Sequence, residues 1–79
     1  MELMKNLKFI DLFAGIGGFH LALKSLGMKC VFTSEIDKYA RQTYASNFNE
    51  KYLSNPNLFN EDIWKADFKK IPDFDILCA

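Results

Sequence analysis

Seventy-nine residues leave room for one small domain, which buries only about two-thirds of the surface its unfolded chain exposes. A composition that is 49% hydrophobic and 25% charged excludes a disordered chain, and ten basic residues against ten acidic ones exclude a free-standing nucleic-acid-binding module, which carries a basic excess. No apolar run reaches the length of a membrane span or a signal core, and Cys30 and Cys78 form no CxxC pair, so both are expected as buried thiols of a cytoplasmic protein.

The first apolar run, Lys8–Phe13, predicts a buried strand that ends in a tight turn at Gly15, Gly17 and Gly18. Phe19, Leu21, Ala22, Leu23 and Leu26 then recur at helical spacing, with the three leucines expected in the core, and Gly27 stops the helix. Lys29–Glu35 is rich in β-favouring residues and predicts a second strand. Asp37 is placed to cap a helix from Lys38 to about Phe48, with Tyr39, Ala40, Thr43, Tyr44 and Phe48 on or near one face. An Asn-rich connection follows, with a turn of helix at Glu50–Leu53. Leu58-Phe59 is a short third strand ending at Glu61-Asp62. Ile63–Phe68 reads as a short helix or loop; Trp64 and Phe68, four positions apart, are expected either to pack inward as core or to form an exposed patch for missing structure, not a base-stacking platform, and Asp75–Ala79 reads as a fourth strand. Strands alternating with helices predict a Rossmann-like α/β fold, a partial one with about four mostly parallel strands and flanking helices. The fourth strand runs to the last residue, where a functional loop is expected, so the chain reads as part of something larger.

The strongest local signal is Asp11-Leu12-Phe13-Ala14-Gly15-Ile16-Gly17-Gly18. Glycines there let the backbone turn sharply and come close to a ligand, with a helix N-terminus behind it. Glu35 closes the second strand about 20 positions later, where a carboxylate suits the two hydroxyls of a ribose. The pair describes a site for a nucleoside-containing cofactor. In a dinucleotide fingerprint read from Gly15 the third glycine falls on His20, so that match fails. Asp11, ahead of the turn, suits an amino or sulfonium group better than a pyrophosphate; its alternative role is to stabilise the turn. S-adenosylmethionine fits these demands better than NAD. His20 has no partner at ligand spacing and reads as a surface or packing residue, and no metal site is expected.

Phe9–Phe19 closely resembles the first motif of bacterial DNA cytosine-5 methyltransferases. Ser34–Ala40 resembles their second motif, and Asp62-Ile63 stands where a third places an Asp-Ile pair. Pro72–Ala79 resembles the strand leading to their catalytic Pro-Cys loop. The resemblance covers essentially the whole chain. It implies that Phe13, Gly15, Ile16 and Gly18 line S-adenosylmethionine, with Phe13 against the adenosyl part, while Gly17 permits the turn. It also implies that Glu35 binds the ribose hydroxyls and Ile36 lies on the adenine face, where members of the family often carry a larger aromatic residue. Asp62 would accept from the adenine amino group, and the backbone of Ile63 would meet the ring edge. The cysteine that attacks a flipped cytosine is expected beyond Ala79, and Cys78 is not that nucleophile, because no proline precedes it.

On this reading residues 1–79 are the N-terminal part of a cofactor-binding catalytic domain and contain no catalytic residue. The intact enzyme would methylate cytosine in double-stranded DNA, in bacteria often within restriction–modification, with little DNA contact from this segment. Three alternatives stand beside it: one chain of a split methyltransferase, an inactive remnant, and an NAD-type oxidoreductase. Exposed apolar edges are expected to favour a complementing chain or self-association.

Overall fold

The computed structural model describes residues 6–79. In chain order these form β1 (Lys8–Leu12), α1 (Gly18–Ser25), β2 (Lys29–Ser34), α2 (Lys38–Asn47), β3 (Phe59–Asn60) and β4 (Ile76–Cys78). Single turns of 3-10 helix occupy Lys51–Ser54, Ile63–Lys65 and Phe68–Lys70. The strands make one parallel sheet in the order β3-β2-β1-β4, the partial Rossmann-like arrangement expected from the alternation of strands and helices. The register slips once between β1 and β2, at Phe9/Ile10.

Burial explains why the central strands lack a two-residue alternation. Phe9, Ile10 and Asp11 are all buried although successive side chains leave opposite faces of a strand, so β1 is covered on both sides. β4 is only partly covered, and Leu77 within it stays half exposed. One apolar cluster gathers Phe9, Met28 and Cys30, with Leu7, Leu23, Tyr52 and Ile76 against it. A second gathers Tyr44, Phe48 and Phe59, with Ala14, Ala45 and Leu53. His20 joins the two. Its ring stacks on Phe48 at 3.8 Å between centroids and meets Phe9 edge-on at 5.5 Å.

Several expectations are corrected. α1 is eight residues long, and His20 and Leu23 take its inward side, so Leu21 and Leu26 face water. In α2 the inward positions belong to Tyr44 and Phe48, one turn apart, which leaves Tyr39 and Thr43 exposed. Trp64 and Phe68 take the exposed one of their two expected placements, because each sits on a one-turn helix too short to bring a side chain back to the sheet. β1 stops at Leu12, since Phe13 already has a left-handed φ of 55°. β3 is Phe59–Asn60, one residue later than expected. Cys30 is buried as expected, but Cys78 is only partly so.

His20 is a packing residue with polar partners that local spacing could not reveal. Its Nδ1 is within hydrogen-bond distance of the Tyr44 hydroxyl, and its Nε2 lies 3.3 Å from Glu50, 30 positions along the chain. Lys24 closes the group at 3.0 Å from the same carboxylate oxygen. The Tyr44 hydroxyl also meets Thr33 Oγ1 at 3.0 Å and donates to Asp11 Oδ2 at 3.3 Å. This chain of side chains ties α1, α2, β1 and β2 together beneath the carboxyl ends of the strands.

Candidate functional site

The turn after β1 is built from three constraints at alternate positions. Phe13, Gly15 and Gly17 have φ values of 55°, 58° and 104°, so two of the three left-handed positions are given to glycine. The Ala14 N–H donates to the Ser34 carbonyl at 3.1 Å, tying the turn to β2. The Gly15 N–H donates to Glu35 Oε1 at 2.7 Å, and the Asp37 N–H donates to Glu35 Oε2 at 2.8 Å. Each carboxylate oxygen is thereby fixed in direction and keeps a further lone pair for a ligand hydroxyl.

The two glycines differ in what surrounds them. A methyl group added at Gly15 would meet nothing within 4 Å, so the space over that residue is open. One added at Gly17 would overlap the Phe48 ring, and Gly17 is buried. Gly17 therefore shapes the turn and lets the end of α2 approach. Gly18 begins α1, and Ile16 is exposed on the turn.

The second wall comes from the end of β3. Glu35 N–H donates to the Asn60 carbonyl at 3.0 Å, and Ser34 Oγ donates to Asn60 Oδ1 at 2.8 Å. Arg41 fastens the two strand ends more firmly. Its guanidinium donates to the carbonyls of Glu35 (3.1 Å), Asn60 (2.7 Å) and Phe59 (3.3 Å) and lies 4.1 Å over the Phe59 ring. Asp62 then caps the next 3-10 turn, its Oδ1 accepting from Trp64 N–H at 3.0 Å.

Between these walls is a cavity of about 120 Å³ that brings together Phe13, Glu35, Ile36, Asp62 and Ile63. Trp64 also lines it. A neighbouring cavity of about 430 Å³ shares Ile36 and Asp62 and reaches Arg41 and Phe59. A larger groove of about 740 Å³ runs along Lys29, Tyr52 and Pro72, beside the start of β2, and contains none of the expected site residues. Position decides over size: ligands of open α/β sheets bind outside the carboxyl ends of the strands.

Asp11 lies beneath this site, fully buried in β1 and beside Cys78 in register. Tyr44 donates to one carboxyl oxygen, and the other has no partner among the described residues. Burial raises its pKa to about 6, the Tyr44 hydrogen bond opposes the rise, and the nearby Glu35 charge adds to it. Burial lowers the pKa of His20, with Glu50 opposing. Both thiols are raised, Cys30 by burial and Cys78 by burial and then by Asp11.

The donors and acceptors fit an adenosyl cofactor: a carboxylate pair of acceptors, apolar side chains facing open space, and an uncovered glycine backbone. Arg41 escaped the sequence reading, and Trp64, expected as core or an exposed patch, lines the cavity instead. For Arg41 one signal existed, a cation in the first turn of a helix that has no acidic residue there, against the helix dipole.

A profile of the family described as C-5 cytosine-specific DNA methylase matches residues 7–79. The chain belongs to that family. Among its relatives, the type II methyltransferase M.HhaI of Haemophilus parahaemolyticus is 51% identical over 76 residues, 96% of this chain and 21% of that protein. The type II methyltransferase M.DsaV of Dactylococcopsis salina is 49% identical over 95% of this chain and 19% of its own length. M.HpaII of Haemophilus parainfluenzae, also a type II methyltransferase, is 48% identical over 99% of this chain and 20% of its own. The cytosine methylase chain described here thus spans about a fifth of the length of these curated relatives. Nothing in the match favours the NAD-type alternative.

Proposed function

We propose that this methylase-family chain forms the cofactor wall of a DNA cytosine-5 methyltransferase, with S-adenosylmethionine held at the carboxyl ends of β1, β2 and β3. The observation that carries the reading is the convergence of Phe13, Glu35, Ile36, Asp62 and Ile63 on one cavity, with Glu35 clamped by the glycine turn. Glu35 accepts from the ribose hydroxyls through its remaining lone pairs. Ile36 and Phe13 cover apolar faces of the adenosyl group. Asp62 accepts from the adenine amino group, and the Ile63 backbone meets the ring edge. Gly15, Ile16 and Gly18 leave the turn open toward the rest of the cofactor.

When bound, the cofactor supplies an electrophilic methyl group; the chain's own residues bind and orient it. A thiol nucleophile needs a lowered pKa, and those of Cys30 and Cys78 are both raised. We assign the attack on cytosine, and most contact with double-stranded DNA, to residues outside these 79, on a longer chain or a complementing one, because no proline precedes Cys78 and the balanced charge supplies no basic excess for phosphates. Alone, the segment binds cofactor without methylating DNA, and its place is the cytoplasm. Among the described residues no helix is long and apolar enough to cross a membrane.

Titration calorimetry with S-adenosylhomocysteine and with NAD tests the reading. Saturable heat with S-adenosylhomocysteine and none with NAD is expected; preference for NAD, or no heat with either, overturns it.

A further inference from the structure

The family resemblance assigns Ile36 to the adenine face, yet an aliphatic side chain stacks on a purine less well than an aromatic one. We propose that Trp64 supplies the missing aromatic wall: its indole packs on the adenine of the bound cofactor and completes the cavity that Ile36 begins. This rests on the cofactor reading above and adds to it a contact residue that no motif marks.

Three observations carry the inference. Trp64 lines the same cavity as Phe13, Glu35, Ile36 and Asp62. Its side chain is 92% exposed, so no packing within the described residues accounts for a large indole at this position. Its backbone is nevertheless fixed. The Trp64 N–H donates to Asp62 Oδ1, and the Lys65 N–H closes the turn onto the Asp62 carbonyl at 2.9 Å. The residue proposed to accept from the adenine amino group and the indole proposed to cover the ring are therefore held on one turn. A flat purine beside Asp62 would remove apolar indole surface from water and gain a stacking contact. An exposed indole without such an occupant has no comparable gain.

Trp64 is the chain's single tryptophan, so its emission reports on this cavity alone. Adding S-adenosylhomocysteine is expected to change that emission with the midpoint found by calorimetry. Trp64→Ala should weaken binding about tenfold, the size of one aromatic–base stack, while leaving the urea midpoint unchanged because the side chain is exposed. Trp64→Phe should keep most of the affinity, and Ile36→Trp placed in the Trp64→Ala chain should restore it. Undiminished binding by Trp64→Ala, or unchanged emission at calorimetric saturation, overturns the proposal while the cofactor reading stands. Absence of calorimetric heat in the parent chain overturns both. Emission that follows protein concentration and not ligand overturns it in favour of contact between copies.

Discussion

Asp11 shows what a single buried carboxyl does to the pH response of a small fold. Its side chain has no exposure, one of its oxygens has no partner among the described residues, and its pKa in the folded chain is about 6 against an ordinary 3.8. A carboxyl with a raised folded-state pKa binds its proton more tightly when folded. Its contribution to stability is complete below pH 3.8 and is lost as pH rises through about 6. Asp11→Asn lacks that dependence. The stability of the parent chain relative to the variant should fall by about 2–3 kcal/mol between about pH 4 and about pH 7.5. Urea unfolding of both chains at the two pH values measures it, and a constant difference would mean that Asp11 titrates as an ordinary acid. Sequence reading left Asp11 between ligand contact and turn stabilisation because its surroundings come from afar. Tyr44 is 33 positions away, and its link to His20 spans 24. By contrast, Gly15 and Glu35 were legible: a turn with left-handed backbone must draw on glycine, and a carboxylate ending the next strand lies at a distance the β-α-β geometry fixes.

At the scale of elements, the site depends on two strand ends keeping their separation. β3 is two residues long and contributes few ladder hydrogen bonds, so it cannot hold itself against β2. Arg41 substitutes for that ladder by donating to carbonyls of both strand ends from α2. Because Glu35 stands on one side of this clamp and Asp62 just beyond the other, releasing it should loosen the cavity more than it destabilises the whole chain. Arg41→Ala should cost about 1.5–3 kcal/mol of stability, the range for hydrogen bonds to a charged group, and weaken S-adenosylhomocysteine binding at least tenfold. Arg41→Lys should not restore either, since a point charge cannot reach three carbonyls with a planar fork. Calorimetry alongside urea unfolding separates the two effects, and undiminished binding by Arg41→Ala would show that the walls hold without it. The order and type of the main elements were legible from apolar runs and glycine stops. The facing of the short ones was not. Three 3-10 turns of three or four residues contain too little periodicity to show that Trp64 and Phe68 turn outward.

Across the whole molecule, apolar groups are distributed unevenly between the middle of the sheet and its rim. β1 and β2 are covered on both faces, while β4 pairs with β1 alone among the described residues and leaves Leu77 half exposed. Phe74 ahead of it and Phe19 and Leu21 on α1 add further exposed apolar surface. A strand edge with free backbone donors and acceptors, next to uncovered side chains, invites pairing with another chain. The formal net charge of zero offers no long-range repulsion to prevent it. The segment taken alone should therefore self-associate. Sedimentation velocity should show a weight-average mass that rises with protein concentration, and Leu77→Lys, which places a charge on the edge strand, should return the chain toward monomer. Leu77 is half exposed and its neighbours on β1 are already covered, so the substitution should shift the unfolding midpoint little. Any polypeptide that pairs a strand with this edge should compete with self-association for it, lowering the apparent mass of the homo-oligomer as it is added. A parent chain that stays monomeric at every concentration would show that the β4 edge is protected by its own twist and shortness, and would remove the physical reason for expecting a complementing chain there.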